Sequence, residues 1–407
     1  MNILFLTSRF PNPPLGGDRL RAFNFLKVLA KRHRVTLLAL SDLPVPAKDV
    51  KQLKRYVAHC DVVVLPKRRS YINCVRGLFS PHPLQVHYYR SHEARHRLEH
   101  LLHREKFDLV FAHLIRMAEY ALQTNGAPKI LDLTDALSLT YDRSCSANGK
   151  ALSLYNLAQR VERHRIRKYE AEMVERFDSN LLISPVDRTY LANHTSVERV
   201  FIVGAGVDLK YFSFYAGDYD ADQLTFVGKM STAPNHDAVL YFVKEILPLV
   251  ERQIPCVKLS IVGIEPPADL LALHRPGKIE VTGHVPDVRP YLRKAAVSLC
   301  PMRIGAGAKN KVLESMAMGT PVVSTPIGIE GLEVQIGKHL LIGDSPETLA
   351  NNVVLLMKDA KLRRRMANDA RRLMEQRYSW DYVMEDLERV IATLVQPTQP
   401  TELQPAR

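Results

Sequence analysis

Short apolar runs recur along the chain, each separated from the next by enough residues for a helix. They fall at residues 3–7, 35–40, 61–65, 108–112, 129–133, 179–184 and 199–203. Uninterrupted Val/Ile/Leu runs of this length suit strands of a parallel sheet, which helices cover on both faces. Residues 18–31 have helical spacing with Asp18 at the cap, so the chain opens with a βαβ unit. The polar run at 151–176, with charges of both signs on its exposed side, reads as a long helix. After a stretch at 205–222 without apolar rhythm, the alternation resumes at 223–227, 257–262, 278–282, 296–300, 321–324 and 340–342. Helices at 360–376 and 379–394 follow, and Trp380, the single tryptophan, is placed to pack the last one. The pattern predicts an α/β chain of two Rossmann-like, doubly wound parallel-sheet domains, 1–204 and 223–395, joined by a linker at 205–222. The last helix is a candidate to cross back to the first domain. The Pro-rich tail 396–407 reads as disordered.

Composition narrows the class. A chain of 407 residues is too long for one core, and 46% hydrophobic with 24% charged residues is ordinary for a globular protein. Cys60, Cys74, Cys145, Cys256 and Cys300 show neither paired nor zinc-type spacing, which points to a reducing compartment. No signal peptide precedes the first strand, and no apolar run approaches the roughly 18 residues of a membrane span. The expected location is cytoplasmic, extending to the inner face of the plasma membrane. Charge supplies the reason. Residues 1–200 hold 32 Lys and Arg against 19 Asp and Glu, whereas residues 201–407 hold 24 of each. A one-sided basic domain attracts an anionic surface or substrate, although a merely solvated basic face has the same composition.

The densest chemistry lies at 301–332, PMRIGAGAKNKVLESMAMGTPVVSTPIGIEGL. Gly305, Ala306, Gly307 and Ala308 let a ligand approach the backbone. Val312, Leu313, Met316 and Ala317 form the buried stripe of a helix spanning 309–318, with Asn310 and Glu314 on a neighbouring face. Lys309 and Lys311 occupy its first turn, where the helix dipole disfavours cations. A bound anion resolves that conflict, and helix N-termini are ready phosphate sites.

This block resembles the donor-binding signature of family-4 glycosyltransferases, and most nearly that of sugar transferases of bacterial exopolysaccharide clusters. The resemblance runs from Met1 to about Val395. It implies the GT-B fold, two Rossmann-like domains facing a cleft, and retaining transfer from a nucleotide-diphosphate sugar without metal or other cofactor. The family signature carries two glutamates eight positions apart, for the sugar and for the ribose. Glu314 matches the second, and Ala306 stands at the first. Phe226–Lys229 ends the first strand of the second domain, where members often carry Arg, with Lys six residues on. Lys229 keeps that charge toward the leaving diphosphate, and Asn235 replaces the second cation. Gly283, His284 and Val285 resemble the turn lining the nucleotide base, and His113 stands where a family histidine contacts sugar or acceptor.

Two further features stand on residue chemistry. Gly16 and Gly17, in the Pro-Gly loop before the first helix, can point amides into the cleft, toward donor diphosphate or acceptor. Asp132 and Asp135 end a strand: either can position an acceptor hydroxyl, and Asp135 equally fits a helix cap. Asp218, Asp220 and Asp222 include a D-x-D, but in a polar linker with no strand before it, so no metal is expected. Lys67-Arg68-Arg69 followed by Tyr71 and Ile72 is a possible membrane edge, and no nucleic-acid motif is present. The expectation is a glycosyltransferase with catalytic Lys229, His113 and Asp135, acting on a glycan or lipid-linked glycan in exopolysaccharide biosynthesis. The alternatives are a nucleotide-sugar epimerase of the same fold and a catalytically silent scaffold that binds a membrane or partner.

Overall fold

The computed structural model describes residues 1–14, 16–147, 154–305 and 307–395. The first domain is a seven-stranded parallel sheet: β1 Asn2–Thr7, β2 Arg34–Ser41, β3 His59–Val64, β4 Leu109–His113, β5 Lys129–Thr134, β6 Ser179–Leu182 and β7 Val200–Ile202. Its order is β3-β2-β1-β4-β5-β6-β7, so strand order reverses between β1 and β4. The second domain has β8 Asp220–Val227, β9 Lys258–Val262, β10 Ile279–Gly283, β11 Ala295–Cys300, β12 Val322–Ser324 and β13 Leu341–Ile342. Their order, β10-β9-β8-β11-β12-β13, reverses between β8 and β11. Ligands of open α/β sheets settle at such reversals, beyond the carboxyl ends of the strands.

Alternation along β1 builds both faces of the first core. Leu4 and Leu6 pack with Leu38, Val110 and Met173 on one side. Ile3 and Phe5 pack with Leu37, Phe111 and Phe25 on the other. Phe5 and Phe111 stack at 4.8 Å between ring centroids. All four β1 residues are fully buried, so each contributes roughly 1.5–3 kcal/mol of apolar burial.

Seven helices bear on the site and the surface around it. In chain order they are α1 Gly17–Leu29, α2 Lys67–Gly77, α3 Leu84–Tyr89, α4 Leu137–Ala147, α5 Leu154–Arg176, α6 Asn310–Met318 and α7 Trp380–Val395. The last helix lies on the first domain, with Trp380, Val383, Leu387 and Ile391 in its core and Trp380 edge-on to Phe25 at 6.2 Å. Every apolar run of the sequence is a strand within a few residues of its expected span. Two boundaries differ. The strand β8 begins at Asp220, which takes Asp220 and Asp222 out of the linker and pairs Asp220 with Lys258 at 3.1 Å. The first helix begins at Gly17 with Gly16 as its cap, and Asp18 sits in the first turn, ion-paired to Arg9 at 2.9 Å. The tail 396–407 and residues 151–153 of the expected helix lie outside the described residues. Among the described residues no helix is long and apolar enough to cross a membrane.

Candidate active site

The carboxyl ends of the two sheets face each other across a cavity of about 230 Å³. Gly17, Arg21 and Asp135 line it from the first domain, Ala308 and Asn310 from the second. The walls nearly touch. A Cβ on Gly17 would meet Asn310 Nδ2 at 3.4 Å, and one on Gly307 would fall 1.7 Å from Asp135 Oδ1. Gly307 also has φ +69°, so glycine is required there twice over. Arg143 of α4 crosses the gap, donating to the Gly305 carbonyl at 2.6 Å and to both Glu330 carboxylate oxygens at 2.6 and 2.8 Å. The small-residue loop is thus gripped from the opposite domain.

On the second-domain side, α6 buries Val312, Leu313, Met316 and Ala317, the expected stripe. Lys309 is its N-cap and turns its ammonium back to the Gly307 carbonyl. Burial lowers the Lys309 pKa, and the charge of Asp135 across the cleft opposes that shift. Lys311 runs inward over the Phe226 ring, its Nζ 4.2 Å from the centroid, and ends on Asn235 Oδ1. Burial brings its pKa down to about 8. One turn on, Glu314 accepts no hydrogen bond from the described residues, and burial pushes its pKa up to about 7 against the pull of Lys311. The helix therefore presents a partly desolvated cation and a carboxylate without a donor beside the ends of β8 and β11.

Lys229, expected beside the diphosphate, lies just past the end of β8. Its ammonium is ion-paired with Glu265 at 2.9 Å on the rim, where the two side chains are 45% and 56% exposed. Glu265 comes from the turn after β9, and the Lys229 ammonium holds its carboxyl below the usual range. Asn235 holds the Lys229 carbonyl through Nδ2 at 2.9 Å and offers Oδ1 to Lys311. The cation missing at position 235 thus arrives from α6. Gly283 closes β10 with φ +66°, followed by exposed His284 and half-buried Val285. Ala306 lies outside the described residues.

On the first-domain side, His113 and Asp132 form part of the frame. His113 Nδ1 bonds Asp132 at 2.8 Å and Nε2 meets the Asp18 carbonyl at 3.0 Å, with the imidazole 1% exposed. Arg21 chelates Asp132 and donates to the carbonyls of Val203 and Gly204, where the chain leaves the domain. Burial alone would raise the Asp132 pKa, but Arg21 and His113 outweigh it and hold it below the usual range. Asp135 is different, and it does not cap α4. The first amides of that helix region go to Asp187, from Ala136 at 2.9 Å, and to Glu170, from Leu137 at 2.8 Å. Asp135 instead faces Gly307 and Lys309, its pKa raised by burial with Lys309 opposing.

Lys311, the second unfavourable cation in the first turn of α6, lies where the sequence places it. Two residues that the sequence did not single out enter the site here, Arg143 and Arg21, and they carried no signal because their partners lie 187 and 111 residues away.

Known proteins agree with this architecture. Residues 221–359 match the family model described as Glycosyl transferases group 1. An uncharacterized 44.6 kDa protein in the cps region of Klebsiella pneumoniae is 23% identical over 175 residues, 41% of this chain and 45% of that protein. The match thus spans less than half the length of that relative. Among solved structures, Anabaena HepE in complex with UDP and glucose superposes with a TM-score of 0.66 at 15% identity, covering 97% of this chain and all of that one. Sucrose-phosphate synthase from Thermosynechococcus elongatus reaches 0.70 at 15% identity over 97% and 99%. Two parallel-sheet domains in this order, facing one cleft, are the GT-B fold, and within it residues 221–359 are similar to the Glycosyl transferases group 1 family.

Proposed function

We propose that the chain is a retaining glycosyltransferase that moves a sugar from a nucleotide-diphosphate sugar to a glycan or lipid-linked glycan in cell-surface polysaccharide assembly. One observation carries this reading: Lys311 and Glu314 lie partly desolvated on one helix at the carboxyl edge of the second sheet, and the carboxylate has no donor. Ribose hydroxyls supply the donors that Glu314 lacks. The diphosphate supplies the anion that Lys311, Lys309 and the N-terminus of α6 call for. As the sugar leaves, positive charge develops at its anomeric carbon while negative charge returns to the diphosphate. Lysines and amides fixed in place stabilise that leaving group without reorganising. Asp135, across from Gly307, orients the incoming hydroxyl in this reading, and closure of the domains on the substrates excludes water. A neighbour of the same fold that binds UDP and glucose, and a relative from a cps region, support the donor class and the setting. The lysine that reaches Asn235 also removes one motive for a silent scaffold.

The test is turnover. Free nucleotide should be released only when a glycan acceptor is present, the product should keep the donor's anomeric configuration, and EDTA should leave the rate unchanged. Interconversion of the nucleotide-sugar without acceptor would establish the epimerase instead, and nucleotide-sugar binding without either reaction would establish the scaffold.

A further inference from the structure

The helix α2 is built inside out. Its inward face is small and polar: Ser70 is 2% exposed, Asn73 donates to the Arg90 carbonyl at 2.9 Å, and Gly77 is packed so closely on His87 that a Cβ would meet the ring at 2.6 Å. Its outward face and the turn after it are apolar. Tyr71, Ile72, Val75 and Leu78 are 50–63% exposed, and Phe79 is 95% exposed. A monomer in water gains nothing from that arrangement, and a contiguous apolar face of this kind marks an interaction surface.

What surrounds the face selects the partner. Lys67, Arg68, Arg69 and Arg76 lie exposed on the same helix. A hollow between Phe79–Pro81 and α5 is walled by Arg160, His164, Arg165 and Lys168. Arg165 donates to the Leu78 carbonyl, which fixes the basic helix against the apolar turn. The acid of this region, Glu162, is turned inward and accepts from the Leu84 amide at 2.6 Å. Apolar side chains standing out of a ring of lysine and arginine match a bilayer with anionic head groups, whose acyl boundary and phosphates lie in that order.

We propose that α2 and the turn 78–81 dock this protein on an anionic membrane, with Leu78 and Phe79 entering the interface and the surrounding cations meeting lipid phosphates. The helix that follows, α3, carries Gln85 into the wall of the interdomain cavity. The docked face and the cavity are therefore joined through one short helix. That this serves a lipid-linked acceptor rests on the transferase reading; the docking itself does not.

Co-sedimentation of the full chain with phosphatidylcholine vesicles, with and without phosphatidylglycerol, tests this. Binding should require phosphatidylglycerol and weaken with salt. The triple change Ile72→Ser, Val75→Ser, Phe79→Ser leaves every charge in place and should still weaken binding about tenfold or more. Lys67→Glu, Arg68→Glu, Arg69→Glu should abolish it, while Lys361→Glu, Arg364→Glu, Arg365→Glu on the second domain should not. Wild-type binding by the serine variant, or equal loss from the two charge reversals, overturns the proposal. So does sedimentation velocity that shows a wild-type dimer broken by the serine variant, because a second copy would then be the occupant. The replaced side chains are exposed, so unchanged melting serves as the folding control. Nucleotide affinity should be equal in wild type and serine variant; its absence in both would defeat the transferase reading and leave the docking result standing.

Discussion

At the scale of single residues, Glu314 and Lys311 carry opposite pH signatures, and each can be read separately. The Glu314 pKa sits near 7, against about 4.3 for a free glutamate. The folded chain therefore holds more protons there than the unfolded one across that window, so this group's contribution makes stability fall as pH rises from about 4.3 to about 7. Glu314→Gln removes the dependence, and the variant's melting temperature should gain on the wild type's between pH 5 and 8. A difference independent of pH would show that the carboxyl is not desolvated. The same variant should bind nucleotide more weakly by about 1.5–3 kcal/mol in calorimetry, because a charged acceptor for ribose is gone. Lys311, brought down to about 8, loses its proton in the next window up. Diphosphate affinity should therefore fall as pH rises through about 8, and Lys311→Met should lower affinity overall and flatten that alkaline limb. An unchanged limb in Lys311→Met would place the titrating cation elsewhere.

At the scale of elements, what was legible is what is local. The strands are dictated by runs of four to six apolar residues, and α6 by a stripe that repeats every three to four. The cap of α4 was illegible because it is not local: Asp187 and Glu170, 51 and 33 residues further on, take its first amides in place of Asp135. The ion pair of Lys229 was illegible for a related reason, since its partner Glu265 comes from the turn after another strand. The loop between β11 and α6 combines both kinds of information. Its glycines announce a close approach, yet only the fold shows that what approaches Gly307 is Asp135. Gly307→Ala should therefore act by steric displacement rather than by unfolding. With its Cβ aimed at the Asp135 carboxylate, the loop must retreat, and turnover should drop roughly 100-fold while melting shifts little. Crystallography or small-angle scattering of the variant should show a wider cleft. A closed cleft with normal turnover would mean that the loop absorbs the methyl group at no cost.

At the scale of the whole molecule, the two sheets meet at the candidate site through Gly17 against Asn310, Asp135 against Gly307, and Arg143. The helix α7 follows the second domain in sequence yet packs in the core of the first, which ties the two together. At the cleft itself the two domains are joined by Arg143, which reaches from α4 to the Gly305 carbonyl and the Glu330 carboxylate. This clamp is partly buried, its two side chains 22% and 18% exposed, so its charges are less screened than a surface pair. Its acceptor on the loop is a backbone carbonyl, which couples closure directly to the shape of the small-residue segment. Arg143→Ala should leave each domain folded but loosen the closed state, raising KM for the donor and lowering kcat together by roughly 10- to 100-fold. Donor should then no longer compact the protein in small-angle scattering as it does the wild type. Glu330→Ala removes the other end of the same contact, so the double variant should be little worse than either single, with a coupling of about 0.5–3 kcal/mol. Fully additive losses would show that Arg143 and Glu330 act on different steps, and the clamp would then have to be assigned to the Gly305 carbonyl alone.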